Sequence, residues 1–542
     1  MTPDLILLAG TVHTLDPARH GPVRAVAVKD GRIAAVGTPG DAAGWRGPRT
    51  EVVDLGAAVL VPGLVDSHIH PVFGLELTAG ADLSGAQDLA EVRRRLHAEA
   101  ARTEPEGWVR GWGLDPNVAG GPALHRSLLD GMLGSRPVLV RLFDGHSALA
   151  SSRALELAGV DGPRSFDQGA QVVCGADGPT GLLLEAAAMD LVAPHLPAAS
   201  FAERKAGLSA ILQGLARAGL TGGHVMDHSE DAALLYRALE DEGELPLRLR
   251  CAPWCQPGTG ETGWAALAEQ IGTGGRRWSV EAVKLFIDGT VDNGTAWLFE
   301  PDRLGESAVP FWPRPQEYSA AVRYFASRGV PTATHAIGDA GVAHVLAALD
   351  AAGEAARRQA VHRIEHLETV PDELVARFAE LGVVASMQPT HCTHYSRADQ
   401  SDNWSARLGP VRAGRAWRCR DLRDLGVTVA LGSDWPIAPY EPLPVIADAQ
   451  LRRRAGRPGL DPIVPGQALT ALQALEGYTS QAAKAAGLWA STGSISPGKL
   501  ADFTVLEADP LTTEPDVLAA STVIATFVGG VQAVRAPAAV SA

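Results

Sequence analysis

The chain has 542 residues, 46% of them apolar and 20% charged, an ordered globular composition on a length that exceeds one compact core. A formal net charge of −15 and the lack of any Lys/Arg block argue against nucleic acid or an anionic membrane surface as partner, and no stretch is long enough to span a membrane. The apolar run Leu5–Ala9 is too short for a signal segment, and five cysteines without a CxxC pattern read as free thiols, so a cytoplasmic protein is expected.

In chain order, the first elements are short strands at Leu5–Leu8, Thr11–Leu15, Ala25–Lys29, Arg32–Val36 and Val52–Leu55, with Asp30-Gly31 as a hairpin turn. The far end shows the same habit at Gly493–Ala501, Asp502–Leu506, Thr522–Val528 and Val531–Val534, the last pair turning on Gly529-Gly530. Neither end has residues enough for its own core. Segments 1–58 and 493–542 are therefore predicted to pair as one small β-sandwich, with a larger domain (59–492) inserted between them.

Within 59–492 strands and helices alternate, which signals βα units and a parallel sheet. Eight strands are predicted: Val59–His68, Leu220–Met226, Leu247–Ala252, Ala282–Ile287, Thr332–His335, Val361–His366, Val383–Met387 and Val427–Gly432. The fold class is α/β, a (β/α)8 TIM-like barrel. Val138–Phe143 would make a ninth strand. It is assigned to an insertion over 75–200, between the first two barrel strands, with helices at Leu89–Ala101, Ser151–Leu157 and Leu182–Leu191. That insertion would form a lid or pocket wall.

Chemistry gathers at the predicted strand ends. The run Val61-Pro62-Gly63-Leu64-Val65-Asp66-Ser67-His68-Ile69-His70-Pro71 ends in two histidines one residue apart, and side chains at i and i+2 of a strand share a face. Alone, such a pair is more often two satisfied histidines than a metal site. Later strands add Lys284, His335, His366 and Asp434. Functional groups of a (β/α)8 barrel sit at the C-terminal strand ends, so these six side chains would converge on one mouth. His362 shares a strand with His366; His366 is preferred because it lies nearer the strand end. Asp434 could instead cap the segment that follows it.

The motifs occur in an order that is specific as a set: Val28-Lys29-Asp30-Gly31-Arg32-Ile33, Pro62-Gly63-Leu64-Val65-Asp66-Ser67-His68-Ile69-His70, Asp144-Gly145-His146-Ser147, Val283-Lys284-Leu285-Phe286-Ile287-Asp288-Gly289, His335-Ala336-Ile337-Gly338-Asp339, Arg363-Ile364-Glu365-His366, Gly432-Ser433-Asp434 and Pro497-Gly498-Lys499-Leu500-Ala501-Asp502. In these the chain resembles the amidohydrolase superfamily, and within it the amidohydrolase-3 group of YtcJ-like proteins, which includes N-substituted formamide deformylases. The resemblance implies that His68, His70 and Asp434 hold one metal. It implies that His335 and His366 hold a second, bridged by Lys284 as a CO2-derived carbamate. A lysine in an apolar strand has a lowered pKa, which favours the neutral amine that reacts with CO2. Zinc, as one or two ions, suits the histidine-rich set, with manganese or iron as alternatives.

The expected function is cleavage of a non-peptide C–N bond (amide, formamide or cyclic amide) of a small molecule by metal-activated hydroxide. Asp434 would serve as general base and then general acid. His146, His391 and Trp112 are candidate substrate contacts, each with packing or a solvated loop as the competing assignment. Two rival functions stand beside this one. A deaminase of a cyclic amidine or aminopyrimidine would have a glutamate at Gly338 and no lysine ligand; a catalytically silent scaffold would have lost ligands. A homodimer is a family-level expectation.

Overall fold

The run Val59–His68, predicted as one strand, is two strands in different sheets. In a computed structural model, which describes residues 2–119, 124–166 and 170–535, Val59–Pro62 pairs antiparallel with Phe503–Leu506, whereas Leu64–Ile69 pairs parallel with Leu220–His228. Gly63 is the crossing point. A Cβ there would collide with the Thr221 side chain, so only glycine lets the chain pass.

Strands from the two ends of the chain lie in two sheets. One sheet has the order Arg32–Gly37, Ala25–Lys29, Leu5–Leu8, Glu51–Asp54; the other runs Thr11–Val12, Val59–Pro62, Phe503–Leu506, Val523–Val528, Val531–Arg535. They share one buried core that includes Leu7, Val26, Leu60, Phe503 and Phe527. Gly493–Ala501 is not a strand. Gly493 and Gly498 take left-handed φ values of 85° and 91° on either side of Pro497, which removes a ladder donor. Residues 536–542 of the predicted 493–542 segment lie outside the described residues.

Seven of the eight predicted inner strands, and the second half of the first, are present in two parallel sheets. One holds Leu64–Ile69, Leu220–His228, Arg248–Pro253 and the unforeseen Trp278–Val280; the other holds Val283–Phe286, Thr332–Ala336, His362–His366, Val384–Met387 and Val429–Leu431. Backbone bonds join the sheets at both edges. Cys255 N–H donates to the Lys284 carbonyl (2.8 Å) on one side, and His70 N–H to the Trp435 carbonyl (2.9 Å) on the other. Helices such as Pro315–Ala326, Asp339–Ala351 and Asp372–Leu381 alternate with these strands and bury their apolar faces in the largest core, beside Leu285, Ile364 and Leu431.

Val138–Leu142 lies outside the parallel sheets. It belongs to a six-stranded sheet ordered Gln171–Gly175, Gly178–Leu184, Ser147–Ala150, Val138–Leu142, Val109–Leu114, Ala81–Asp82, with its own apolar clusters. The helix expected at Leu182–Leu191 is shortened to Ala186–Met189, because Leu182–Leu184 continue a strand paired with Ser147–Leu149 and Glu185 breaks the path at φ 63°. Among the described residues no helix is long and apolar enough to cross a membrane.

Candidate metal centre

His68 ends the buried strand Leu64–Ile69, and its ring is fixed from behind. Its Nδ1 lies 2.7 Å from Glu365 Oε2, and Glu365 is in turn held by Arg363 through Nε (2.5 Å) and Nη2 (2.9 Å). All three are buried. A carboxylate on Nδ1 places the proton there and leaves the Nε2 lone pair free to face inward. Nε2 lies 3.3 Å from Lys284 Nζ and 3.5 Å from Asp434 Oδ1.

Asp434 reaches this point through a strained turn. Asp66 accepts backbone N–H groups from His68 (3.0 Å) and Ser433 (3.0 and 3.1 Å), tying two strand ends together, and Asp434 N–H donates to the His68 carbonyl (2.8 Å). Asp434 itself has φ 59°, and His366 has φ 76°. Left-handed backbone at a non-glycine costs on the order of 1–3 kcal/mol, and it survives where the surroundings over-determine it.

The remaining imidazoles crowd the same carboxylate. His70 Nε2 is 3.1 Å from Asp434 Oδ1, His391 Nε2 is 3.6 Å from Oδ2, and His366 Nδ1 is 3.8 Å from Oδ2. His366 is oriented by Gln388 Oε1 (2.9 Å), stacks on His391 at 6.0 Å, and lies 4.5 Å from the His335 ring, centre to centre. Lys284 is fully buried above the Phe286 ring. Burial pushes its ammonium down to about 8. His68 is pushed down to about 4, by burial first and by Lys284 second, so it is a neutral donor at pH 7. Burial alone would raise the Asp434 carboxyl, but His68 and His70 overrule it and hold it below the ordinary carboxylate range.

These residues fit a divalent cation. His68, His70 and Asp434 form one trio, and His366, His391 and Asp434 another, with candidate ligand atoms within 4.8 Å of one another. Asp434 Oδ1, His70 Nδ1 and His391 Nε2 are buried without a hydrogen-bond partner. Lone pairs gathered this closely without protons between them repel, unless a cation lies among them.

Some predicted residues are placed differently. His391, read as a substrate contact, stands within ligand reach of Asp434, whereas His335 turns Nε2 to the Gly289 carbonyl at 3.1 Å. His362 points away and bonds Thr332 Oγ1 (2.8 Å). Trp112 does not face the imidazoles. It lines a neighbouring cavity with Asp82, Trp435 and Tyr440, because its strand Val109–Leu114 sits near the outer edge of the inserted sheet. His146 does arrive. The inserted sheet brings its ring to 5.4 Å from His335, with Nδ1 at 2.8 Å from Glu185 Oε2. Burial opposes its charge, yet Glu185 and Asp144 outweigh burial and raise it to about 9.

Sequence reasoning missed the supporting carboxylates and amide. Glu365 was legible, since Arg363 and Glu365 are two apart on one strand and must share a face. Gln388 and Asp66 carried no such local signal. The imidazoles face a solvent-open cavity whose walls include Phe73, Leu77, Met189, Trp254 and Phe311, a mostly apolar lining suited to a small molecule.

Comparison with known proteins supplies the family. The amidohydrolase family model (Amidohydro_3) matches residues 51–534. The chain is 30% identical to a putative amidohydrolase, YtcJ, of Bacillus subtilis, over 91% of this chain and 92% of that one. It is 28% identical to an N-substituted formamide deformylase of Arthrobacter pascens, over 97% and 98%. An uncharacterized metal-dependent hydrolase from Pyrococcus horikoshii superposes with a TM-score of 0.71 at 25% identity, covering 94% of this chain and 99% of its own. The chain therefore belongs to the amidohydrolase family and is a hydrolase acting on carbon–nitrogen bonds.

Proposed function

We propose that this enzyme cleaves an amide, formamide or cyclic amide C–N bond of a small molecule at Asp434. The observation that carries the reading is the buried Asp434 carboxyl, held below the ordinary carboxylate range and ringed by imidazoles, with Oδ1 lacking a hydrogen-bond partner. The similarity to a formamide deformylase supports an amide-type substrate. In this reading the two parallel sheets, joined at both edges, form a (β/α)8 barrel, the end sheets a β-sandwich, and 75–200 a lid.

His68, His70 and Asp434 would hold one zinc ion. His335 and His366, with Lys284 as a carbamate, would hold a second. The neutral Lys284 amine adds to CO2, forming an N–C bond and releasing a proton to solvent. Bound zinc supplies Lewis acidity at a carbonyl and lowers the pKa of water to about 7. The chain's own residues do the rest. Glu365 keeps His68 in one tautomer. Asp434 accepts the proton of the attacking water and returns it to the departing nitrogen. His146, cationic through Glu185, donates from Nε2 to orient the substrate carbonyl. Phe73, Trp254 and Phe311 exclude bulk water, which strengthens each of these interactions.

The test is a hydrolysis screen of N-formyl, N-acyl, carbamate and cyclic amide compounds, with and without added Zn2+. Turnover that rises with zinc and vanishes with chelator is expected. A protein inert toward every class, or equally active after chelation, would refute the reading.

A further inference from the structure

A narrow recess, open to solvent, adjoins the metal-ligand cluster and shares His335, His366, His391 and Asp434 with it. Its walls are aromatic. Phe143 and Tyr395 stand 4.0 Å apart, and Trp404 and Trp417 4.9 Å apart, centre to centre.

Besides those shared groups and His146, its polar lining carries three further carboxyl groups, Asp144, Asp292 and Glu368. Among the described residues these carboxylates have only neutral donors. Glu368 accepts from Trp404 Nε1 (2.7 Å), Asp292 from Asn403 Nδ2 (2.9 Å), and Asp144 from Ser147 Oγ (3.0 Å), the His146 backbone N–H (3.1 Å) and Asn293. The nearby cations are already engaged, His146 by Glu185 and Arg407 by Asp302 and Glu306. A buried carboxyl group without a cationic partner is held back from ionising, and a cation placed beside it relieves that cost. Two further atoms await a partner: Thr290 Oγ1 and Ser396 Oγ belong to residues more than nine-tenths buried, line the recess and have no hydrogen bond. Aromatic faces, carboxylates and free hydroxyl acceptors together match an organic cation that carries several N–H groups.

We propose that this recess binds a cationic end of the substrate, an amidinium, guanidinium or primary ammonium group, while the carbonyl to be cleaved lies at Asp434. The proposal rests on the hydrolytic reading of the neighbouring site and names its substrate class. It makes Glu368 and Asp292 specificity determinants.

The experiment is calorimetric titration of the zinc-loaded full chain with benzamidinium chloride and, separately, with benzamide, its near-isosteric neutral counterpart. Benzamidinium is expected to bind on the order of thirtyfold more tightly. Glu368→Gln and Asp292→Asn each keep an oxygen acceptor for Trp404 or Asn403, and each is expected to bring the two affinities close to parity while the circular dichroism spectrum is retained. Equal affinity in the unaltered chain, no binding of either compound, or a preference that survives both substitutions overturns the proposal. If it is overturned while neutral formamides are still hydrolysed, only the recess assignment falls. A cation preference that depends on Glu368, in a protein that hydrolyses no amide, supports the recess and refutes the hydrolytic reading.

Discussion

Replacing Glu365 by leucine tests whether the carboxylate behind His68 orients a ligand or merely stabilises the fold. Glu365 is fully buried and sits within hydrogen-bond distance of Arg363 Nε and Nη2 and of His68 Nδ1, at 2.5 to 2.9 Å. Its loss leaves the buried Arg363 guanidinium without its carboxylate. Breaking a buried pair in this way costs about 3–5 kcal/mol of folding stability, read as a fall in the urea midpoint. The His68 ring also loses the acceptor that sets its tautomer, which lowers zinc affinity by about 10- to 100-fold in competition with a chromophoric chelator. The double variant Arg363→Met/Glu365→Leu separates the two effects. Removing both charges restores most of the stability, because no orphan charge remains. It does not restore zinc affinity, because His68 Nδ1 still lacks its acceptor. Zinc affinity that recovers together with stability would refute the orienting role.

Three shorter expectations follow from the same geometry. Asp434→Asn keeps the fold but lowers kcat by on the order of 10²–10⁴, measured on the best substrate of the hydrolysis screen, because the amide cannot take the proton; near-normal turnover would remove Asp434 from the mechanism. His228 and His362 are held neutral, each pushed down to about 4 by burial and a nearby arginine. The unfolded chain binds their protons near pH 6.5, so the folded state loses stability as pH falls from about 6.5 to 4, by at most about 3 kcal/mol per residue. Urea midpoints measured across that range should drop, and His228→Gln or His362→Gln should flatten the slope; an unchanged slope in both contradicts the assignment. Gly63→Ala forces a Cβ into Thr221 and should cost about 1–3 kcal/mol by thermal melting, a loss absent if the two strands can part there.

The order of strands and the residues at their ends were legible because both signals are local. Apolar runs mark strands buried on both faces, and a period of two places His68 on a known face. The same locality limited the reading. Val59–Val65 is an unbroken run without polar side chains, so hydrophobicity did not announce that Gly63 hands the chain from one sheet to another. The Gly493–Ala501 strand was expected from composition and undone by two left-handed glycines.

By itself, then, the sequence determined which side chains could carry the chemistry: the His68/His70 pair, a lysine in an apolar strand, and His335, His366 and Asp434 after later strands. Only the tertiary structure decided who stands beside whom. His68 meets Glu365 297 positions away, His391 rather than His335 closes on Asp434, and Trp112 faces another cavity. The reason is physical. Strand identity depends on neighbours along the chain, whereas distances across the mouth depend on how separate strands stack and where backbone strain turns their last residues inward.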